Sequence, residues 1–322
     1  MSAVVTATSL EKRYGETVAI RDLSLSVDEG EVFALIGPNG AGKTTLVRTL
    51  TGATTPTSGE VALFGERPTS VDHSRVGVLP QEFNPHERLT ARELVAYYAG
   101  LYPDARGTEE VLERVGLDTA SYGTHYKDLS GGQQRRICVG IGLINDPEIL
   151  FLDEPTTGID PAGRRAMWRL VEDLADAGTT VFLTTHYMEE AEYLADRVGL
   201  LADGELVATG TPQSLIEEYG GETQLVVEST TEALEGGLDG FPVPADVGTD
   251  GTVVFRDVSP LQSADVIRTL ADREIEYSEM RWTHPTLEDV YLQLAPDDGD
   301  AGVAEAERDA PGEPVSALGG QR

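Results

Sequence analysis

The sequence predicts an α/β fold: a core with a mostly parallel sheet around a glycine-rich loop, followed by a small α+β unit. Three observations carry the prediction. Apolar strand patterns alternate with helical ones through residues 1–220, the arrangement that lays helices against a parallel sheet. A glycine-rich loop, Gly37-Pro38-Asn39-Gly40-Ala41-Gly42-Lys43-Thr44, follows one apolar strand and precedes a helical pattern that begins at Thr45. After Gly220 and Gly221 the pattern restarts over residues 221–295, which read as a separate accessory unit.

The elements follow in order. Residues 4–10, 18–27, 31–36, 60–64 and 76–79 are short and β-rich. Helical patterns cover 90–101, 109–115 and 132–143. Two apolar strands, 149–152 and 180–184, flank a helix over 164–175, and a last helix, 211–219, stops at Gly220-Gly221. In the smaller unit, 224–228, 252–257 and 275–281 read as strands and 261–272 and 286–294 as helices. Its loop, 235–251, is rich in Gly, Pro and Asp. Large apolar residues become rare after Pro296, so residues 296–322 read as a disordered acidic tail.

Composition bounds the function. A length of 322 residues suits two domains, at roughly 150 residues each. There are 56 acidic and 24 basic residues, a net charge of −32. That balance argues against a broad nucleic-acid surface and against a polybasic membrane anchor. Lys12, Lys43 and Lys127 are the only lysines, so nearly all positive charge is arginine. The acid excess points to adaptation to high salt, where a Debye length of about 3 Å at 1 M screens self-repulsion. Cys138 is the only cysteine, which excludes an intrachain disulfide and fits a reducing compartment, as expected of a cytoplasmic protein. Residues 1–10 show no signal-peptide pattern. The longest apolar run, 137–144, is broken by Gly140 and Gly142, far below the ~20 residues a spanning helix needs. No direct membrane insertion is expected, so any membrane role must come through a partner.

Three motifs carry chemistry. In the glycine loop, small residues let backbone amides wrap a phosphate, and the helix N-terminus faces the anion. Lys43 would reach the β and γ phosphates, and the Thr44 hydroxyl would serve Mg²⁺. The second motif is the apolar strand 149–152 running into Asp153-Glu154. Asp153 suits the magnesium side of a nucleotide site, and Glu154 is placed to orient or deprotonate an attacking water. The third is Leu129-Ser130-Gly131-Gly132-Gln133 at the head of a helical stretch. It forms a second potential anion site, although the same residues fit an ordinary serine N-cap with flexible glycines.

The Leu129–Gln133 run shortly before a strand ending in Asp-Glu-Pro resembles the signature of ABC ATPases, and the likeness runs in order through residues 1–220. Other positions resemble family motifs. Tyr14 resembles the aromatic that stacks on adenine. Gln81 resembles the Q-loop glutamine, placed near both the water and the metal. Thr157-Gly158-Ile159-Asp160 resembles the D-loop, with Asp160 also fitting a helix N-cap before Pro161. His186 resembles the switch histidine at the γ-phosphate. The resemblance implies ATP and Mg²⁺ as ligands, with Gly37 through Thr45, Ser130 through Gln133, Tyr14 and Asp160 at the nucleotide and Thr44, Gln81 and Asp153 at the metal. It also implies antiparallel β and helical subdomains on the core. Each ATP would sit between one glycine loop and the other subunit's Ser130–Gly132, in a homodimer or heterodimer. The segment around Leu89–Glu93, and Pro285 through Tyr291, resemble the ABC-2, drug-export-like branch, which implies a separate integral membrane permease. ABC ATPases that act on ribosomes or DNA share these motifs. A single glycine loop, the lack of a heptad run and the strong negative charge argue against them.

Overall fold

The chain opens as a long antiparallel hairpin, β1 (Ala3–Tyr14) and β2 (Thr17–Asp28), turned at Gly15 with φ 59°. The structure is a computed structural model that describes residues 2–229, 240–247, 252–273 and 275–295. The tail read at 296–322, and residues 235–239 and 248–251 of the Gly/Pro/Asp-rich loop, lie outside the described residues. β1 is the middle strand of a three-stranded antiparallel sheet, paired on its other edge with β4 (Ser58–Leu63). Both hairpin strands outrun the sequence expectation. The register shifts between Ala7 and Leu10 and Ser9 sits at φ 45°, so the period-2 pattern breaks where the strand does not.

The central sheet has six strands in the order β5-β6-β7-β3-β8-β9. These are β3 (Val32–Ile36), β5 (Val76–Leu79), β6 (Ile149–Asp153), β7 (Thr180–Thr185), β8 (Arg197–Ala202) and β9 (Glu205–Gly210). The first five are parallel and β9 is antiparallel to β8. Every residue of β3, β6 and β7 is buried, as expected of strands covered on both faces. Alternation along β3 divides two cores: Val32, Ala34 and Ile36 enter one, Phe33 and Leu35 the other. Phe182 links neighbouring strands, with its ring 5.5 Å from Phe33 and 5.4 Å from Phe151. β8 and β9 form a hairpin that the sequence reading did not assign. Its signal was present in Asp203-Gly204 between two apolar runs.

Helix α1 (Lys43–Leu50) follows β3 and buries Leu46, Val47 and Leu50. A helical unit of α2 (Ala91–Ala99), α3 (Thr108–Arg114) and α4 (Gly131–Gly142) is inserted between β5 and β6. Thr90 and Glu93 form a capping box that fixes the start of α2. Helices α5 (Pro161–Asp176), α6 (Met188–Leu194) and α7 (Pro212–Tyr219) complete the layers.

The C-terminal segment forms a four-stranded antiparallel sheet in the order β11-β12-β10-β13. Its strands are β10 (Gln224–Ser229), β11 (Ala245–Val247), β12 (Thr252–Arg256) and β13 (Tyr277–Thr283). Helix α8 (Pro260–Asp272) covers it, and Leu225, Val227, Val253, Phe255, Val266 and Leu270 form its own core. The last described helix, α9 (Leu287–Leu294), packs elsewhere. It lies on α6 and α7, buries Leu287 and Val290 in the larger core, and Leu287 N donates to Glu192 Oε1 at 2.6 Å.

Candidate active site

Parallel register brings three strand ends together. Ile36 is level with Thr185, and Asp153 with Thr184, so the segments leaving β3, β6 and β7 meet at one edge of the sheet. In open α/β sheets this carboxyl edge is where ligands bind.

The glycine loop leaves β3. A Cβ at Gly37 would lie 2.3 Å from Leu201 O, and one at Gly42, where φ is 107°, would lie 2.4 Å from Ala19 O. Both positions therefore require glycine. Pro38, Asn39 and Gly40 form an exposed crest, while Ala41 is buried. Lys43 opens α1, followed by Thr44 and Thr45 in its first turn, where backbone N–H groups have no helical acceptor. Lys43 Nζ donates to Gly37 O (2.7 Å) and Pro38 O (3.1 Å) and pairs with Glu154 Oε1 at 3.2 Å. Both side chains of that pair are buried, at 4% and 5% exposure.

At the end of β6, Asp153 Oδ1 accepts a hydrogen bond from Thr184 Oγ1 at 2.5 Å. Glu154 then reverses the chain with φ 48°. A non-glycine residue in that region costs about 1–3 kcal/mol and persists only where its surroundings hold it. Its amide donates to Thr184 Oγ1 (3.0 Å), so one buried hydroxyl serves both carboxylate residues. Glu154 Oε2 accepts from Gln81 Nε2 (3.2 Å) and Thr157 Oγ1 (3.1 Å), and His186 Nδ1 stands 3.5 Å away. Burial alone would raise the Glu154 carboxyl, but Lys43, His186 and Thr157 outweigh it and hold the group below the usual glutamate value. Glu154 is therefore ionised at neutral pH, as a proton acceptor must be.

The structure thus gathers Lys43 with its Gly37–Thr45 loop, Gln81, Asp153, Glu154 and His186, and leaves Tyr14, Ser130–Gln133 and Asp160 apart. Tyr14 ends β1, 47% exposed, with Lys12 Nζ 4.9 Å from its ring centroid. Ser130 and Gln133 bond to each other in a capping box at the head of α4. Gly131 and Gly132 are the first two residues of that helix, and a Cβ at Gly132 would lie 2.9 Å from Gly163 Cα. Asp160 caps α5, accepting from Gly163 N at 2.8 Å. Both serine and aspartate therefore act as helix caps within this chain, and each cap sits at an N-terminus able to face an anion.

Two residues escaped the sequence reading. Thr184 had a weak signal, as a hydroxyl in an otherwise apolar strand. Arg135 had none, being one of two adjacent arginines in a helix. Its guanidinium donates to the carbonyls of Asp153 (2.9 Å), Glu154 (3.0 Å), Pro155 (3.0 Å) and Gln81 (3.4 Å).

The chain is similar to known proteins over most of its length. The family model described as ABC transporter matches residues 20–157. The chain is 38% identical over 305 residues to the daunorubicin resistance ATP-binding protein DrrA3 of Streptomyces coeruleorubidus, covering 91% of this chain and 96% of that protein. It is 34% identical over 302 residues to the linearmycin resistance ATP-binding protein LnrL of Bacillus subtilis, covering 89% and 97%. It is 36% identical over 298 residues to the Nod factor export ATP-binding protein I of Burkholderia lata, covering 89% and 95%. Among solved structures, the dimeric ATP-binding cassette MJ0796 bound to ADP and Pi superposes with a TM-score of 0.57 at 28% identity, over 64% of this chain and 98% of that one.

Proposed function

The chain belongs to the ABC transporter family as an ATP-hydrolysing subunit, and from that premise we propose that it drives export through a separate membrane permease of the ABC-2 type. The observation that carries the chemical part is the buried, ionised Glu154, held between Lys43, Gln81, Thr157 and His186 at the edge of the sheet. In this reading Lys43 and the amides of the Gly37–Thr45 segment bind the β and γ phosphates. Glu154 takes a proton from the attacking water, Gln81 orients that water, and His186 contacts the γ-phosphate. Tyr14, exposed at the end of β1, stacks on the adenine. The hydroxyl of Thr44, the Gln81 side chain and the Asp153 carboxylate are hard oxygen donors of the kind Mg²⁺ accepts beside substrate phosphates. The ion would neutralise charge on those phosphates. Thr184 keeps Asp153 oriented for this role.

Each ATP is proposed to lie between this loop and Ser130–Gly132 of a second ATPase subunit, like or unlike, with Asp160 near the same interface. Among the described residues no helix is long and apolar enough to cross a membrane, so force must pass through a partner. The surface proposed for that partner runs from Gln81 through Tyr98. Phe83 and Tyr98 pack ring to ring at 5.8 Å there, and Tyr97 on the same helix is 60% exposed. The subunit would then be peripheral on the cytoplasmic face of the cell membrane. The relatives named for resistance and export favour the outward direction. Purification of the tagged chain from solubilised membranes should bring down one integral membrane protein; recovery with ribosomes and no membrane protein would sink the reading.

The acid excess supports a second part of the proposal, that the protein works at high salt in a halophilic cell. With a net charge of −32, dimerisation brings like-charged chains together, and ATP adds more negative charge. Screening shortens from about 30 Å at 0.01 M to about 3 Å at 1 M. ATPase rate and thermal midpoint are both expected to rise from dilute buffer to molar KCl. A rate maximum near physiological ionic strength, with decline beyond it, would remove the high-salt reading.

A further inference from the structure

The helix that begins with Ser130-Gly131-Gly132 sends one side chain back into its own subunit's catalytic turn. Arg135 lies one helical turn beyond the cap. Its guanidinium converges on four backbone carbonyls from two separate segments: Asp153, Glu154 and Pro155 at the end of β6, and Gln81 after β5. Those segments carry the two side chains that meet at 3.2 Å, Gln81 Nε2 and Glu154 Oε2. The central carbonyl of the set belongs to Glu154, the residue in the left-handed conformation. A chain reversal there turns successive carbonyls toward one point, where a planar, five-donor cation can bond them together. An ammonium is a point charge without the fork and cannot serve the same set.

The helix bearing Arg135 is also fixed to α5. Gly132 and Gly163 approach so closely that a Cβ on either would lie within 3.2 Å of the other's Cα. The helix end, the catalytic turn and the Q-loop backbone therefore share one frame with Arg135 at its joint.

We propose that Arg135 is a positioning residue for hydrolysis: it holds the Glu154 turn and the Gln81 backbone in register with the Ser130–Gly132 helix. Its hydrogen bonds go to backbone carbonyls of the Glu154 turn and Gln81 and none goes to the Gly37–Thr45 loop, so turnover depends on it and ATP binding does not. The proposal rests on Glu154 being the base.

The test uses the full chain. kcat and KM for Mg-ATP, binding of a fluorescent ATP analogue and thermal unfolding are measured for Arg135→Gln, Arg135→Lys, Glu154→Gln and Arg135→Gln/Glu154→Gln. Arg135→Gln is expected to lower kcat on the order of 10²-fold, the cost of a small misplacement of a catalytic group. Its ATP affinity should stay within about twofold of the parent. Arg135→Lys should be intermediate in kcat, because it keeps the charge and loses the fork. The double variant should hydrolyse no more slowly than Glu154→Gln, because Arg135 acts through Glu154. A parental kcat in either Arg135 variant, a raised KM at unchanged kcat, or a further fall in the double variant overturns the proposal. If Arg135→Gln does not fold, Arg135→Lys alone decides by the same kcat criterion. Parental turnover in Glu154→Gln removes the base assignment and the proposal with it. An inactive Glu154→Gln beside a parental Arg135 variant removes Arg135 alone and leaves the base standing.

Discussion

Glu154→Gln is expected to bind ATP normally and to hydrolyse it on the order of 10²-fold more slowly, or worse. The substitution conserves volume and leaves an oxygen to accept from Gln81 or Thr157. The left-handed turn at residue 154 is set by its backbone, through Thr184 and Arg135, and does not need the charge. Lys43 loses an ionic partner but keeps Gly37 O and Pro38 O. Binding should therefore survive while proton abstraction fails, and an ATP-bound dimer should accumulate. Steady-state ATPase, equilibrium binding and gel filtration with ATP read the three consequences. Normal turnover in the variant would show that another group activates the water.

Ser130→Arg is expected to abolish ATP-driven dimerisation while leaving nucleotide binding to one subunit near parental. The serine caps α4 through Gln133, and losing such a cap costs about 1 kcal/mol, too little to unfold a domain of this size. Lys43 and the glycine loop are not in contact with it, so the subunit's own phosphate site is untouched. The new side chain is long, charged and placed where the proposed dimer needs close approach to a γ-phosphate. Light scattering with and without ATP separates the outcomes. Equal dimer formation in variant and parent would leave Leu129–Gln133 as a helix cap alone.

Legibility in the sequence followed locality. The glycine loop, the strand ending in Asp153-Glu154 and the helix read from residue 90 are written in consecutive residues, and each stands where the pattern placed it to within a residue or two. The extent of β1 was not legible, because a bulge near Ser9 interrupts the alternation that marks a strand. β11 is three residues inside a Gly- and Pro-rich stretch, too short to show a period. β13 begins later than its apolar pattern, at Tyr277, since Ile275 turns into the accessory core before the strand starts. Within the site, Gln81 and His186 could be recognised by position relative to strands, whereas Thr184 and Arg135 act through contacts with distant backbone. Nothing in a local window records which carbonyls a side chain will meet 18 or 54 residues away.

The place of α9 has a consequence for how the chain is made. Leu287 and Val290 fill the same core as Leu215 of α7 and Leu194 of α6. During synthesis the strands of the central sheet emerge first, although β3 must wait for its neighbours β7 and β8. The apolar faces of α6 and α7 that meet α9 are covered by a segment that lies beyond the whole accessory sheet in the chain. The helix at 287–294 therefore completes the core of the nucleotide-binding unit although the accessory sheet precedes it in the chain.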